Sequence, residues 1–321
     1  MNDFSKDEEY NALKSEFDAY YAENMQPILQ ESEKVRHKYL CVFFILLLMA
    51  FIFYPYLLKQ ILSMPMQNGE SVDMGYVLAL SGFVLMILNG PLFFYRQKVK
   101  PQVMPAFAEF FGDFKYAYEK TLDNELLDAS GLFGKYNKNT GDDFFYGRYD
   151  DVDVAVAEEK LKFVQQDEKQ RSTEKKVFAG ICILLEMNKN FVGRTLVLED
   201  KGMLNAFHRV KGLENVKLED SKFEKLFEVY SDSQIEARYL LTTAFMERML
   251  KLQDLYEGKA MQFSFRDNQL LIAIRTRQNM FEANSFFRSN INKKRIDRVF
   301  DQFYTIFSII RILKLNQRIG V

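Results

Sequence analysis

Three acidic pairs are the residues of this chain whose types and spacing come nearest to a chemical site. They are Asp142-Asp143, Asp150-Asp151 with Asp153 two positions on, and Glu158-Glu159. Carboxylates bind a hard cation when the fold gathers them, and paired carboxylates also serve glycosidases. Their spacing matches no EF-hand loop, and solvated turns and strand ends commonly carry such residues. We therefore favour solvated carboxylates over a metal site, and a metal-dependent hydrolase is a distant alternative.

The sequence offers few partners for other catalytic groups. His37 and His208 are its two histidines, so no paired-histidine zinc site and no conventional Ser–His pair can be assembled. No P-loop, GxGxxG or GxSxG motif occurs. Cys41 and Cys182 lie in apolar surroundings and are expected to be buried free thiols. The sequence thus predicts no enzyme, no catalytic residue, no metal and no cofactor.

The charge balance argues against nucleic acid as a partner. The chain carries 43 basic and 44 acidic residues, which gives a formal net charge of -1. A nucleic-acid-binding protein usually presents a basic field or arm that neutralises phosphates. We expect no nucleic-acid partner.

Two long uncharged runs, 39–58 and 74–95, determine the architecture. Each is rich in Leu, Phe, Ile, Val and Met, and at 1.5 Å per residue each spans about 30 Å of hydrocarbon. A buried hairpin of a soluble protein is the alternative, but buried helices of this length rarely stay uncharged on every face. The runs predict a transmembrane hairpin and a membrane lipid bilayer as the first partner.

The flanking basic residues predict the orientation of this hairpin. They are Lys34, Arg36, Lys38, Arg96, Lys98 and Lys100. The connection, 59–73, carries Lys59 alone among basic residues. Lysine and arginine concentrate in cytoplasmic flanks. We expect a multi-pass protein of the bacterial inner membrane with both termini in the cytoplasm.

Aromatic residues at helical spacing flank the hairpin on both sides. One stripe runs from Tyr10 to Ile28, where Pro27 is expected to bend the helix, and another runs from Phe107 to Leu126. We expect both membrane helices to continue into the cytoplasm and to pack together as a helical stalk. Binding of another protein by these aromatic stripes is the alternative.

Beyond Gly131 the pattern changes to that of strands. Segments 143–149, 152–165, 177–187 and 192–199 are predicted to form an antiparallel meander, with 178–185 as a central strand. Val152, Val154 and Val156 alternate, but Leu161 and Phe163 have the opposite parity, which predicts a bulge or bend around Glu158 and Glu159.

The remaining pattern combines short helices with one hairpin. The predicted elements are a short strand near Val216, a helix near Phe223, helices over 234–241 and 244–255, and strands over 261–266 and 269–275. Asp267-Asn268 is predicted as the turn of that hairpin, because both residues tolerate positive φ.

The last helix, around 296–313, has a regular apolar face. Basic residues that could contact lipid or a partner are Lys293, Lys294, Arg295, Arg298, Arg311, Lys314 and Arg318. Packing of the helix on its own domain is the favoured interpretation. Contact with anionic lipid or with a partner helix is the alternative.

Four segments, 17–29, 191–200, 213–252 and 263–274, carry a family resemblance. The chain resembles the bacterial membrane proteins of the domain of unknown function 3137 family. The resemblance implies an N-terminal membrane hairpin followed by a cytoplasmic domain. It also implies an envelope-linked assembly with a LemA-type membrane protein as partner, and it supplies no catalytic residues.

The sequence therefore predicts an α+β chain with a two-helix transmembrane hairpin, a helical stalk, a cytoplasmic and mostly antiparallel sheet domain with flanking helices, and a long C-terminal amphipathic helix. The predicted segments are a cytoplasmic amphipathic helix (1–38), transmembrane helices (39–58 and 74–95), a short external loop (59–73), a stalk helix (96–130) and an α+β domain (131–321). The expected function is a protein-interaction or regulatory module of an envelope complex, which could also be a homo-oligomer. Lipid recognition by the basic C-terminal helix is the alternative.

Overall fold

The fold combines helices with an antiparallel sheet, as predicted. The computed structural model describes residues 7–63, 74–166, 172–187, 191–200, 212–256, 260–313 and 315. The chain divides into two compact units. The sheet unit comprises Met1–Asp18, Phe107–Glu282 and Ile296–Val321, and the hairpin unit comprises Ala19–Ala106 and Ala283–Arg295.

Long helices form the N-terminal third of the chain. Helix α1 (Glu8–Tyr20) leads through a π-helical turn (Tyr21–Met25) into α2 (Gln26–Leu62), and α3 (Met74–Phe110) follows. Pro27 is the second residue of α2, and because it has no N–H it cannot donate a hydrogen bond to the π-helical turn that precedes it. The irregularity predicted at Pro27 therefore falls in the turn just before it. Helices α2 and α3 contain the two uncharged runs in full.

One nine-stranded sheet has the order β1-β2-β3-β4-β9-β8-β5-β7-β6, with every pair antiparallel. Its strands are β1 (Asp113–Tyr118), β2 (Lys138–Tyr149), β3 (Val152–Gln166), β4 (Ser172–Glu186), β5 (Thr195–Glu199), β6 (Glu214–Val216), β7 (Phe227–Ser231), β8 (Met261–Arg266) and β9 (Gln269–Arg275). The predicted hairpin is confirmed as β8–β9, with φ of 51° at Asp267 and 59° at Asn268.

The meander predicted over 143–199 holds for β2, β3 and β4 but is wrong for the fourth strand. β4 pairs with β9, as a central strand should, and β5 lies between β8 and β7. Residues Leu270 to Ile274 of β9 are all buried. A strand with two apolar faces is most stable at the centre of a sheet, where both faces are covered. The order of strands along the chain does not show which strand takes that place.

The stalk helix predicted over 96–130 is wrong beyond Phe110. Helix α3 ends there, Gly112 has a φ of 137°, and β1 then pairs with β2 as an edge strand. Positive φ near this value is open to glycine and strained for other residues. Helix α4 (Asn124–Ser130) begins at Asp123, whose side chain accepts a hydrogen bond from the Glu125 amide. The aromatic residues at 114, 116 and 118 also alternate as a strand requires, so the spacing was open to both interpretations.

Helices cover the sheet unit at several places. They are α5 (Ser221–Glu224), α6 (Gln234–Leu240), α7 (Thr243–Leu255) and α8 (Lys293–Leu313). Ser233 caps α6 and Thr242 caps α7 through their hydroxyl groups.

Helix α8 packs on one face of the sheet, and α1 packs on α8. Phe303 contacts Phe145 of β2 at 4.9 Å between ring centroids, and Phe17 of α1 stacks on Phe300 at 4.6 Å. The Lys14 ammonium lies 2.8 Å from the Asp297 carboxylate. The favoured interpretation of α8, packing on its own domain, is confirmed for the part of this helix that the structure describes.

Candidate functional site

The opposite face of the sheet carries a groove of about 430 Å³. Alternate residues of a strand share a face, so Tyr146 points away from Phe145 and from α8. The pairing register places Lys115, Tyr146, Ala155 and Leu184 in one row across β1 to β4. The groove is therefore a shallow, mixed surface built on rigid strands.

Charged side chains of both signs border this groove. Its polar lining residues include Asp113, Lys115, Arg148, Asp153, Glu186 and Gln269. Tyr146 is 38% exposed, and the Lys120 ammonium lies 5.2 Å from its ring centroid. A shallow groove with an aromatic ring at its base and charged side chains of both signs at its edge suits an extended peptide. A small metabolite is usually enclosed on most sides.

The acidic pairs are only partly brought together. Asp142, Asp143 and Glu158 have carboxylate oxygens that all lie within 4.8 Å of one another. A bulge causes this: Gly141 pairs with Glu159 and Phe144 with Ala157, so two aspartates of β2 oppose Glu158 alone. A bulge does lie opposite Glu158, but its extra residue is in β2 and not, as predicted, in the strand that carries Glu158. Asp150 and Asp151 have φ of 50° and 63° in the turn between β2 and β3, and Asp153 lines the groove.

Protein groups interact with each member of this cluster. The Tyr116 hydroxyl donates to Asp143 at 2.8 Å, the Met280 amide donates to Glu158 at 3.0 Å, and the Asn279 amide group donates to Asp142 at 3.3 Å. Burial, together with the charge of Asp143, raises the pKa of Tyr116. Asp142 and Glu158 thus fasten residues 279–280 to the bulge, and Asp143 binds Tyr116 of β1. These are structural roles.

Glu159 lies on the other face of β3 and is fully buried. Its Oε1 accepts a hydrogen bond from the Leu122 amide at 2.6 Å, and its Oε2 has no hydrogen-bond partner among the described residues. Burial raises the pKa of this carboxyl to about 7, although the hydrogen bonds from Leu122 and Asn139 act to lower it. Sequence analysis grouped it with the solvated carboxylates, and the structure places it in the core.

Of the seven selected basic residues, the five that the structure describes fall in two units. Lys293, Lys294 and Arg295 belong to the hairpin unit, whereas Arg298 and Arg311 belong to the sheet unit. Lys314 and Arg318 lie outside the described residues. Lys294 and Arg298 are exposed.

Three of these residues make contacts within their own unit. The Lys293 ammonium lies 5.2 Å from the Tyr21 ring centroid, and the Arg295 guanidinium lies 3.3 Å from the Ser289 carbonyl oxygen. Arg311 pairs with Glu9, and burial lowers its pKa. Their assignment to lipid or partner contact stays a prediction.

Sequence reasoning missed a buried polar cluster in the hairpin unit. Arg36, which was selected only as a flanking charge, is 7% exposed, and Ser32 and Asn290 are fully buried. These residues come from segments far apart in the chain. No local periodicity could have indicated that they meet.

Comparisons with known proteins bear mainly on the second half of the chain. No curated protein matches the sequence. A solved structure to which the chain shows similarity is the crystal structure of the mycobacterial trehalose monomycolate transport factor A, TtfA, at 15% sequence identity and a TM-score of 0.32, over 65% of this chain and 92% of that chain. A likeness at this level carries no argument about function. Residues 176–315 match the model of a family described as "Protein of unknown function (DUF3137)", the family that the sequence resembles.

Proposed function

We propose that this chain is an inner-membrane protein of bacteria whose sheet unit binds another protein in the cytoplasm, as an assembly or regulatory module of an envelope complex. In this proposal the chain is not an enzyme. The partner suggested by the family resemblance is a LemA-type membrane protein.

The exposure of α2 and α3 is the observation that carries the membrane part. Both helices are long and apolar enough to cross a membrane, and their most apolar windows are 0% and 6% buried. Phe51 is 80% exposed, and Leu85 and Met86 are 60% and 64% exposed. A soluble protein rarely exposes an apolar surface of this extent, whereas lipid would cover it.

The groove on β1 to β4 supports the protein-binding part. Its strands form a rigid support, and the Tyr146 ring offers apolar area at low conformational cost. Lys115 and Arg148 lie close to Asp153 and Glu186, so the rim favours a peptide that also carries both charges. Lipid recognition by α8 is supported less well, since the apolar face of this helix is used in packing.

Site-specific photo-crosslinking in cells tests this proposal. A photoreactive phenylalanine analogue at Tyr146 of the full-length protein is expected to capture one specific protein. The same analogue at Ile235, which is 83% exposed outside the groove, is the matched control. Capture that is absent at both positions, or equal at both, would contradict the assignment of the groove.

A further inference from the structure

We propose that residues 283–292, here called the interfacial segment, form a second membrane contact. Phe287 and Ile291 would enter the boundary between headgroups and acyl chains. Arg288 of the segment, and Lys294 in the helix that follows it, would lie against anionic phospholipid headgroups. This inference rests on the proposed function in one respect, namely that α2 and α3 cross the bilayer. All the contacts that support it lie within the hairpin unit.

The depth of the segment follows from its contact with α2. The ring centroid of Phe287 lies 5.6 Å from that of Phe43. Phe43 is four residues past Tyr39, where the first uncharged run begins, which places it about 6 Å along the helix into that run. Interfacial elements bury their apolar side chains about 5–10 Å into the same boundary. The segment therefore lies at bilayer depth.

The apolar side chains of the segment divide into an anchor and an exposed pair. Phe286 is 7% exposed and packs against Tyr95 and Phe43, with ring centroids at 5.3 and 5.7 Å. Phe287 and Ile291 are 59% and 41% exposed. Exposed apolar residues beside a membrane-crossing helix gain stability when lipid covers them.

Irregular backbone at a membrane needs hydrogen-bond partners from the protein, because the hydrocarbon supplies none. The interfacial segment contains no helix or strand, but side chains of the hairpin unit bond to several of its backbone groups. The backbone N–H of Asn290 donates to the Glu33 carboxylate at 2.8 Å, and the Tyr95 hydroxyl lies 3.1 Å from the Ser285 carbonyl oxygen. The Arg36 guanidinium lies 3.3 Å from the Phe286 carbonyl oxygen.

The charges around the segment favour an anionic surface. Arg288 and Lys294 are exposed, whereas the nearby Glu33 is largely buried and paired with Arg36 at 2.6 Å. Juxtamembrane basic residues are attracted to anionic lipid over about a Debye length. A bilayer with anionic headgroups therefore fits the segment in both apolarity and charge.

Tryptophan quenching tests this proposal, because the chain contains no tryptophan. Phe287→Trp would be made in the full chain and reconstituted in vesicles of phosphatidylcholine and phosphatidylglycerol. Phe51→Trp serves as the bilayer reference and Tyr146→Trp as the aqueous reference. We expect bromine-labelled acyl chains to remove roughly half or more of the Phe287→Trp emission, as for an indole about 5–10 Å deep, and acrylamide to quench it weakly.

The three variants separate the two proposals. If acyl-chain bromine quenches Phe51→Trp but not Phe287→Trp, the interfacial segment is not in lipid and the inference is overturned. If it quenches neither, the membrane proposal itself fails. Shielding of Phe287→Trp from both quenchers would assign the surface to a protein, such as a second copy, and would also overturn the inference. Ile291→Trp repeats the measurement should Phe287→Trp not fold.

A second arm tests the charge. Lipid quenching of Phe287→Trp is expected to be stronger when phosphatidylglycerol is present than in phosphatidylcholine alone. Adding Arg288→Gln and Lys294→Gln should remove that difference, whereas Lys175→Gln and Lys176→Gln on β4 should leave it. Equal quenching in both vesicle types would overturn the anionic preference.

Discussion

The Tyr95 hydroxyl lies 2.8 Å from Oδ1 of Asn290, a residue 195 positions further along the chain. The same Oδ1 accepts a hydrogen bond from the Ser285 amide at 3.1 Å, and Asn290 Nδ2 donates to Ser32 Oγ at 3.0 Å. Asn290 is fully buried, so its side chain joins α2, α3 and the interfacial segment without access to water. One amide group thus holds three parts of the hairpin unit together.

We expect Asn290→Ala to release the interfacial segment. The substitution removes the acceptor of the Ser285 N–H and one hydrogen bond each from the Tyr95 and Ser32 hydroxyls, which keep the Ser285 and Leu29 carbonyl oxygens as acceptors. Each buried group left unsatisfied costs about 1–3 kcal/mol. Local stability should fall by roughly 2–4 kcal/mol once water reaches part of the site. Limited trypsin digestion of the full chain in detergent would show this as faster cleavage after Arg288.

Gln278→Ala is the control for that experiment, because Gln278 carries an exposed amide. It should leave the rate of cleavage after Arg288 unchanged. Equal cleavage rates in Asn290→Ala and the parent protein would show that the amide contributes little to holding the segment.

Glu159 should make the stability of the sheet unit depend on pH. Its pKa is raised from 4.5 to about 7, mainly by burial, so the folded state keeps the proton that the unfolded state loses. The stabilisation is fully present below pH 4.5 and is lost as pH rises through 7. The loss reaches roughly 3 kcal/mol by pH 8, at 1.36 kcal/mol per pKa unit.

We expect Glu159→Gln to abolish this dependence, because the amide stays neutral and can still accept from Leu122. Thermal unfolding followed by circular dichroism at pH 5 and pH 8 would measure it. The variant should have a higher unfolding midpoint than the parent only at pH 8. Glu214→Gln, at an exposed position, should follow the parent at both values. A parent protein with the same unfolding midpoint at pH 5 and pH 8 would contradict the raised pKa.

The sequence predicted best what is decided locally. The hairpin β8–β9 was bounded correctly because Asp267 and Asn268 adopt positive φ through their own short side chains. The edge strand β1 was missed because Phe114, Tyr116 and Tyr118 fit two periodicities, and only pairing with β2 decides between them. The place of β5 between β8 and β7 was also missed, because both of these partner strands come later in the chain.

The candidate sites follow the same division. Parity in β3 predicted a bulge near Glu158, but the extra residue lies in β2, where it brings Asp142 and Asp143 to Glu158. The parity switch in β3 reflects a change in which face is buried, because Ala157 and Leu161 belong to a core cluster with Leu127. Parity also places Glu159 on the opposite face, but its burial depends on Leu122 and on the core beneath α4. Ser32 and Asn290 are 258 positions apart, and nothing near either residue indicates their contact.

Gly180 is required by the close approach of two central strands. It lies in β4 opposite Arg275 of β9, and a Cβ atom there would collide with the backbone carbonyl of Ile274. Backbone in a sheet centre cannot move away cheaply, so Gly180→Ala should destabilise the sheet unit by about 2–4 kcal/mol. Thermal unfolding of the full chain would show the loss.

Gly134→Ala is the matched control, because the nearest atom to its new Cβ is a Val177 methyl carbon at the ordinary distance of 3.8 Å. Its unfolding midpoint should stay close to that of the parent. Equal midpoints for Gly180→Ala and Gly134→Ala would show that β4 and β9 can separate more easily than their pairing implies.

The proposed topology can be tested with thiol labelling because the chain has two cysteines of different character. Cys182 is buried, and burial raises the pKa of its thiol, so it should not react with maleimides. Cys41 is exposed, so the expectation of a buried thiol is wrong for this residue, and it would be replaced by alanine. Two reporters can then be compared in that background: Ser63→Cys, just after α2, and Lys175→Cys, at an exposed position of β4.

Both reporters are read with a membrane-impermeant maleimide applied to spheroplasts. The basic flanks of α2 and α3 predict that the end of α2 lies outside the cytoplasm and that the sheet unit lies within it. Ser63→Cys should therefore react in intact spheroplasts, whereas Lys175→Cys should react only after the membrane is opened. The reversed pattern would invert the orientation and move the groove around Tyr146 away from cytoplasmic partners. Reaction of both positions in intact spheroplasts would contradict a chain that spans the membrane, because one bilayer could not then separate Ser63 from Lys175.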